Sequence, residues 1–183
     1  MDWKENLKAY LDKSGKTDIE IHSFTNIPPS TLSKIRNKKT EKLSARHFHL
    51  LKLFFGEKHL DFLNTIFDIN SFDIKEKVSD GITRTSLGKM LHDNYHLEKL
   101  TLSSLAEASE VKRERVKYLN YNDDSSISTE ELTKIELALG EKPGTLFKKV
   151  FKSVKLNSVS KANKLVEEAR AYNAKSNDRR KTR

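Results

Sequence analysis

The 183-residue sequence has no cysteine, three prolines and six glycines. Without cysteine there is no disulfide, no iron–sulfur ligation and no thiolate zinc site. Few breakers leave room for long helices, and the period-two alternation of a half-buried strand is missing throughout. No apolar run approaches the roughly 20 residues that a membrane span requires, and the amino terminus has no apolar core of a signal peptide. The chain therefore reads as soluble and cytoplasmic, with no membrane partner. Charge is abundant: 35 Lys and Arg stand against 26 Asp and Glu, a formal net charge of +9. That surplus favours polyanionic partners without saying which sequence or shape is recognised. With 36% apolar residues, small compact cores suit the chain better than one deep core.

Apolar residues recur at helical spacing, as in Trp3, Leu7, Tyr10 and Leu11, then Leu43, Leu50, Leu51 and Phe54, then Leu60, Leu63 and Phe67. The whole chain reads as all-α. A shift of 84 residues (Trp3 onto Leu87) superposes apolar positions without a gap. Leu7 meets Leu91, Ile21 meets Leu105, and Ile27 meets Val111. Leu32, Ile35 and Leu43 meet Val116, Leu119 and Ile127, and Gly56-Glu57-Lys58 meets Gly140-Glu141-Lys142. Two related helical units are expected at 1–70 and 85–152, joined by a polar linker at 71–84 that contains the turn signal Asp80-Gly81. Val159, Ala162, Leu165, Val166, Ala169 and Tyr172 form a narrow apolar stripe, so 153–174 reads as one amphipathic helix. Its stripe has two open destinations: a homodimer through this helix, or docking onto the same chain. The basic stretch 175–183 reads as a disordered tail.

Within each unit the joints are tight. Thr17 and Glu20 make a capping box, Ile27 is buried at a turn, and Pro28-Pro29-Ser30 opens the next helix. In the second unit Thr101 is the cap, Val111 marks the turn, and Val116 and Leu119 face inward. Two helices joined by a turn of about four residues describe a helix-turn-helix. In these residues the sequence resembles the lambda-repressor-like (XRE-type) helix-turn-helix family. That family's pattern runs Leu-Ala, three variable residues, Gly-Val-Ser, two variable residues, then Thr-Leu-Ser-Arg-Ile. The first copy here is Ile21-His22, then Asn26-Ile27-Pro28, then Thr31-Leu32-Ser33-Lys34-Ile35. The second is Leu105-Ala106, then Glu110-Val111-Lys112, then Arg115-Val116-Lys117-Tyr118-Leu119. The family's fourth helix, ending in Leu-Gly, is similar to 43–56 and 129–140. Three positions depart from the pattern. His22 replaces a small residue, while Asn26 and Glu110 replace the turn glycine, the second less comfortably.

The resemblance implies an all-α fold of two tandem helix-turn-helix domains, with a carboxy-terminal helix and basic tail behind them. It implies a sequence-specific double-stranded DNA-binding regulator, repressor-like, rather than an enzyme. It also implies that Pro29, Ser30, Ser33 and Lys34 in one copy, and Arg113, Glu114, Lys117 and Tyr118 in the other, reach base edges. Lys38, Lys39, Lys42 and Arg46 would follow phosphates, and Thr17 and Thr101 stand at helix amino ends that can approach them. A second copy docking differently would lean on Lys112, Arg113, Arg115 and Lys117. The matching segment of the second copy, Asn122-Asp123-Asp124-Ser125, repels phosphate, so that copy either docks differently or takes a protein partner. An antitoxin-like or inhibitor module is therefore the alternative. His92 and His96 have metal-binding spacing but no third ligand, and His47 and His49 read as a surface or boundary pair. No cofactor motif and no catalytic signature is recognisable.

Overall fold

The computed structural model describes residues 2–69, 72, 102–121 and 127–181. Among them there are ten helices and no strand: α1 (Trp3–Lys13), α2 (Asp18–Thr25), α3 (Pro29–Arg36), α4 (Ala45–Phe55) and α5 (His59–Ile66), then α6 (Leu102–Ser109), α7 (Arg113–Tyr121), α8 (Thr129–Ala138), α9 (Thr145–Val150) and α10 (Val159–Lys181). No described helix is long and apolar enough to cross a membrane. The linker expected at 71–84 lies outside the described residues except for Phe72.

Local chemistry sets the boundaries. Asp2 caps α1 by accepting the Lys4 amide at 3.0 Å. Thr17 and Glu20 close a full capping box on α2, and Ser128 with Glu131 does the same on α8. Pro29 opens α3, where its missing N–H would be unpaired anyway. The 84-residue register reappears as geometry. Asn26 and Glu110 both turn the chain in the left-handed conformation, at φ 57° and 53°. Gly56 and Gly140 end α4 and α8 at φ 69° and 70°. Thr25 and Ser109, both buried, each send a hydroxyl back to the carbonyl four residues earlier, at 2.6 Å. The carbonyls of Pro28 and Lys112 each receive two amides of the helix that follows.

The halves meet through equivalent atoms. The Ala45 N–H donates to Ile127 O and the Thr129 N–H to Leu43 O, both at 2.8 Å. Residues 43 and 127, like 45 and 129, are partners in the repeat, so this antiparallel Ser44–Ser128 bridge straddles a local two-fold axis. Beside it α4 packs on α8.

Buried residues form a single cluster, against the expectation of separate small cores. Phe48 is the reason: its ring lies 5.0 Å from Phe62 in its own half and 5.7 Å from Phe147 in the other. Full burial of a side chain of this size contributes about 1.5–3 kcal/mol, so continuity at the seam matters for both halves.

Two further expectations are revised. Helix α10 runs on to Lys181, so most of 175–183 is helical rather than a disordered tail. The segment from Ala169 to Lys181 contains neither Gly nor Pro and is rich in Ala, Lys and Arg, all good helix formers. Its first turns dock on α2 of the same chain, where Ala162 is fully buried. Asn157 fixes the approach. Its amide donates to Phe24 O at 2.7 Å, and its side chain donates to Ser23 O at 2.6 Å. Farther along, Tyr172 stays exposed. His49, expected at a surface or boundary, is only 6% exposed because its ring packs 5.5 Å from Phe151.

Candidate nucleic-acid interface

Helix α3 is held from below by Leu32 and Ile35, both buried, which turns Pro29, Ser30, Ser33 and Lys34 outward. Its far end turns on Lys38, whose positive φ of 57° lets the Lys38 and Lys39 amides reach Ile35 O and Lys34 O. Arg36, which sequence reasoning passes over, anchors the helix. It is bonded to Asp12 and Asp18 at 2.7 Å each, and to Lys16 O at 2.6 Å. An Arg–carboxylate pattern of this kind fixes orientation as well as energy.

The same construction recurs in α7. Val116 and Leu119 are buried, and Arg113, Glu114, Lys117 and Tyr118 face outward. Arg113 takes the place of Pro29 in the repeat, Glu114 that of Ser30, Lys117 that of Ser33 and Tyr118 that of Lys34. The two exposed faces thus share a frame and differ in chemistry.

The candidate cations divide into two groups. Lys34, Lys39, Arg46, Lys112, Arg113 and Lys117 are exposed and pair with no carboxylate among the described residues. Lys38, by contrast, is paired with Glu5. Lys42 and Arg115 come from opposite halves and both reach Glu131, at 3.5 and 3.4 Å. Arg115 also lies 5.6 Å over the Tyr118 ring. Those contacts hold Glu131 below the ordinary carboxylate range, with its capping bond to Ser128 the largest lowering influence, against a larger opposing effect of burial. Lys42 and Arg115 therefore serve the seam between halves as well as any ligand.

Thr17 is committed locally. Its hydroxyl accepts the Glu20 amide at 3.2 Å and donates to the Glu20 carboxylate at 2.9 Å. Asp18 and Glu20 also place negative charge at that helix end, which disfavours phosphate there. Thr101, the acidic stretch 122–125, His92 and His96 lie outside the described residues. Among the described residues no three His, Asp or Glu side chains are grouped to hold a metal ion.

His22 closes the turn after α2: its Nδ1 lies 2.9 Å from Ile27 O, which an Nδ1–H tautomer bonds.

The seam holds groups with no counterpart in the motif. His59 packs 4.4 Å from Phe147. The fully buried Glu136 accepts the amides of Gly144 at 2.8 Å and Leu146 at 2.6 Å, capping α9. Burial raises its pKa to about 7 despite those bonds. Burial, with Lys52 nearby, pushes His49 and His59 each down to about 4. The 3.6-residue period of apolar residues carries no signal for these polar groups. In comparisons with protein-family models, with curated proteins and with solved structures, nothing matches the chain.

Proposed function

We propose that the chain is a sequence-specific duplex-DNA-binding regulator, repressor-like, whose two halves act as tandem helix-turn-helix domains. It works by binding, with no catalytic step. The observation that carries this reading is the antiparallel Ser44–Ser128 bridge between positions 84 residues apart, whose local two-fold axis we extend to the helices that precede it, α3 and α7. Two elements related by such an axis lie on either side of it and face the same way along it. Duplex DNA has the same symmetry, and successive major-groove half-sites on one face are about 34 Å apart. A single chain then does what a homodimer does elsewhere, with tethering making the second engagement intramolecular.

Because α3 and α7 present different side chains, the preferred site has two unlike halves. Arg113 suits a guanine edge and Glu114 a cytosine amino group, while Ser30 and Ser33 read weakly. Lys39, Arg46 and Lys112 add affinity without sequence information. Selection of bound duplexes from a random pool tests this: a defined motif supports it, and binding that tracks charge alone refutes it.

A second reading keeps α3 on DNA and gives α7 to a protein partner. It is favoured by the exposed Tyr118, over whose ring lies an Arg115 already bonded to Glu131. Enrichment of a single half-site would select it.

A further inference from the structure

A cavity of about 640 Å³ opens where the end of α2, the start of α4 and the strand of chain before α10 converge. Its floor is Thr25, Ile27 and Leu50, all buried. Arg46 and Lys155 stand on its rim with Ser44, His47 and Ser153, and no carboxylate lines it. Neither Arg46 nor Lys155 pairs with an acidic group among the described residues. Two cations from segments 109 residues apart (155 − 46) are thus held at one polar hollow without a counter-charge.

Their placement is structural. Arg46 sits in the first turn of α4, whose cap residue Ser44 makes no side-chain cap bond. The amides of Arg46 and His47 therefore lack the acceptor that Thr17 gives α2, and the positive end of the helix faces the hollow. Lys155 belongs to a strap tied at both ends, by the Val154 amide on Phe151 O at 2.9 Å and by Asn157 on Phe24 O at 2.7 Å. His47 is half-buried, and burial with the neighbouring Arg46 charge lowers its pKa, leaving a neutral ring that donates or accepts.

We propose that this cavity is a seat for a phosphate group, clamped between Arg46 and Lys155 over the start of α4. Cations with no internal partner, hydroxyl groups and a helix amino end suit a tetrahedral oxyanion better than any neutral or cationic ligand. The phosphate comes from a duplex backbone or from a free phosphorylated molecule. The first source rests on the DNA reading above, and the second does not.

The test uses the full chain labelled for NMR, with inorganic phosphate in one arm and a random-sequence duplex in the other. Saturable shifts of the Arg46 and His47 amides are expected, weakened at least tenfold by Arg46→Ala and by Lys155→Ala. In the duplex arm each substitution should lower the slope of log K against log salt by about one, equally on unrelated sequences. Response to duplex alone assigns the seat to the backbone, and response to inorganic phosphate at millimolar concentration assigns it to a free ligand. Duplex binding that ignores both substitutions, with no phosphate response, overturns the seat and leaves the DNA reading standing. A phosphate response without duplex binding keeps the seat and removes the DNA reading.

Discussion

Gly144→Ala probes the seam where the two halves lock. Gly144 has φ 95°, outside the range L side chains adopt easily. A Cβ built there would lie 2.7 Å from His59 Cγ and 2.9 Å from His59 Cβ. The ring cannot swing away freely, because it packs 4.4 Å from Phe147 and 5.5 Å from Phe48. The Gly144 amide also holds Glu136 at 2.8 Å, so a backbone shift disturbs that cap. The left-handed conformation costs a non-glycine residue about 1–2 kcal/mol. Overpacking adds about 1–3 kcal/mol, so Gly144→Ala should cost about 2–5 kcal/mol in urea unfolding at neutral pH. Gly15→Ala is the control: φ is 65° and nothing lies within 4 Å, so only the conformational share, about 1–2 kcal/mol, applies. In a His59→Ala background the clash with the ring carbons is removed while the one with Cβ at 2.9 Å stays, so the Gly144→Ala cost should fall in part, remaining above that of Gly15→Ala. Equal costs in both backgrounds would refute the contact between halves.

Acid should weaken the fold through the seam. His49 and His59, held near 4, are neutral in the native chain while unfolded imidazoles near 6.5 take protons. Their contribution is therefore present above about pH 6.5 and lost as pH falls towards 4. Glu136 acts in the opposite sense, its contribution full below pH 4.5 and lost as pH rises through about 7. Replacing His59 with Phe should flatten the decline in unfolding midpoint between pH 6.5 and 4, and an unchanged decline would contradict the burial argument. Glu110→Gly should stabilise the chain by up to about 1 kcal/mol, since Glu110 sits at φ 53° where only glycine is unstrained. A loss of stability in the same unfolding assay would show that the Glu110 side chain does something the turn needs. Asn157→Ala should cost about 1–2 kcal/mol and lower amide-exchange protection in the first turns of α10, which it ties to Ser23 and Asn26. Unchanged protection would mean that Ala162 alone secures the helix.

The elements themselves were legible because their signals are local. The Thr17–Glu20 box, Pro29 at a helix start and the left-handed Asn26 each act within four residues, and all are in place. The repeat was legible because burial at 21, 32 and 35 recurs at 105, 116 and 119. The seam was not. Leu43 and Ile127 supply backbone carbonyls to it, and a carbonyl's partner leaves no trace in side-chain pattern. His49 reads as a surface or boundary residue because its partner, Phe151, comes from the other half, and the contact of His59 with Phe147 likewise spans the halves. In the candidate site, the exposed positions of α3 and α7 followed from their buried neighbours, whereas the shared hold of Lys42 and Arg115 on Glu131 required the halves to be assembled. Lys155 reaches the cavity only because Asn157 bends the strap onto α2.

The most direct measurement is a set of parallel selections from random duplexes, with the wild-type chain, Lys34→Ala and Arg113→Ala. The wild-type chain should enrich a motif of two unlike halves centred about one helical turn apart. Lys34→Ala should relax one half and Arg113→Ala the other, the latter by about 1–3 kcal/mol at one base pair. A motif that ignores both substitutions, or no motif from any of the three, would contradict the claim that α3 and α7 read DNA from either side of the Ser44–Ser128 axis.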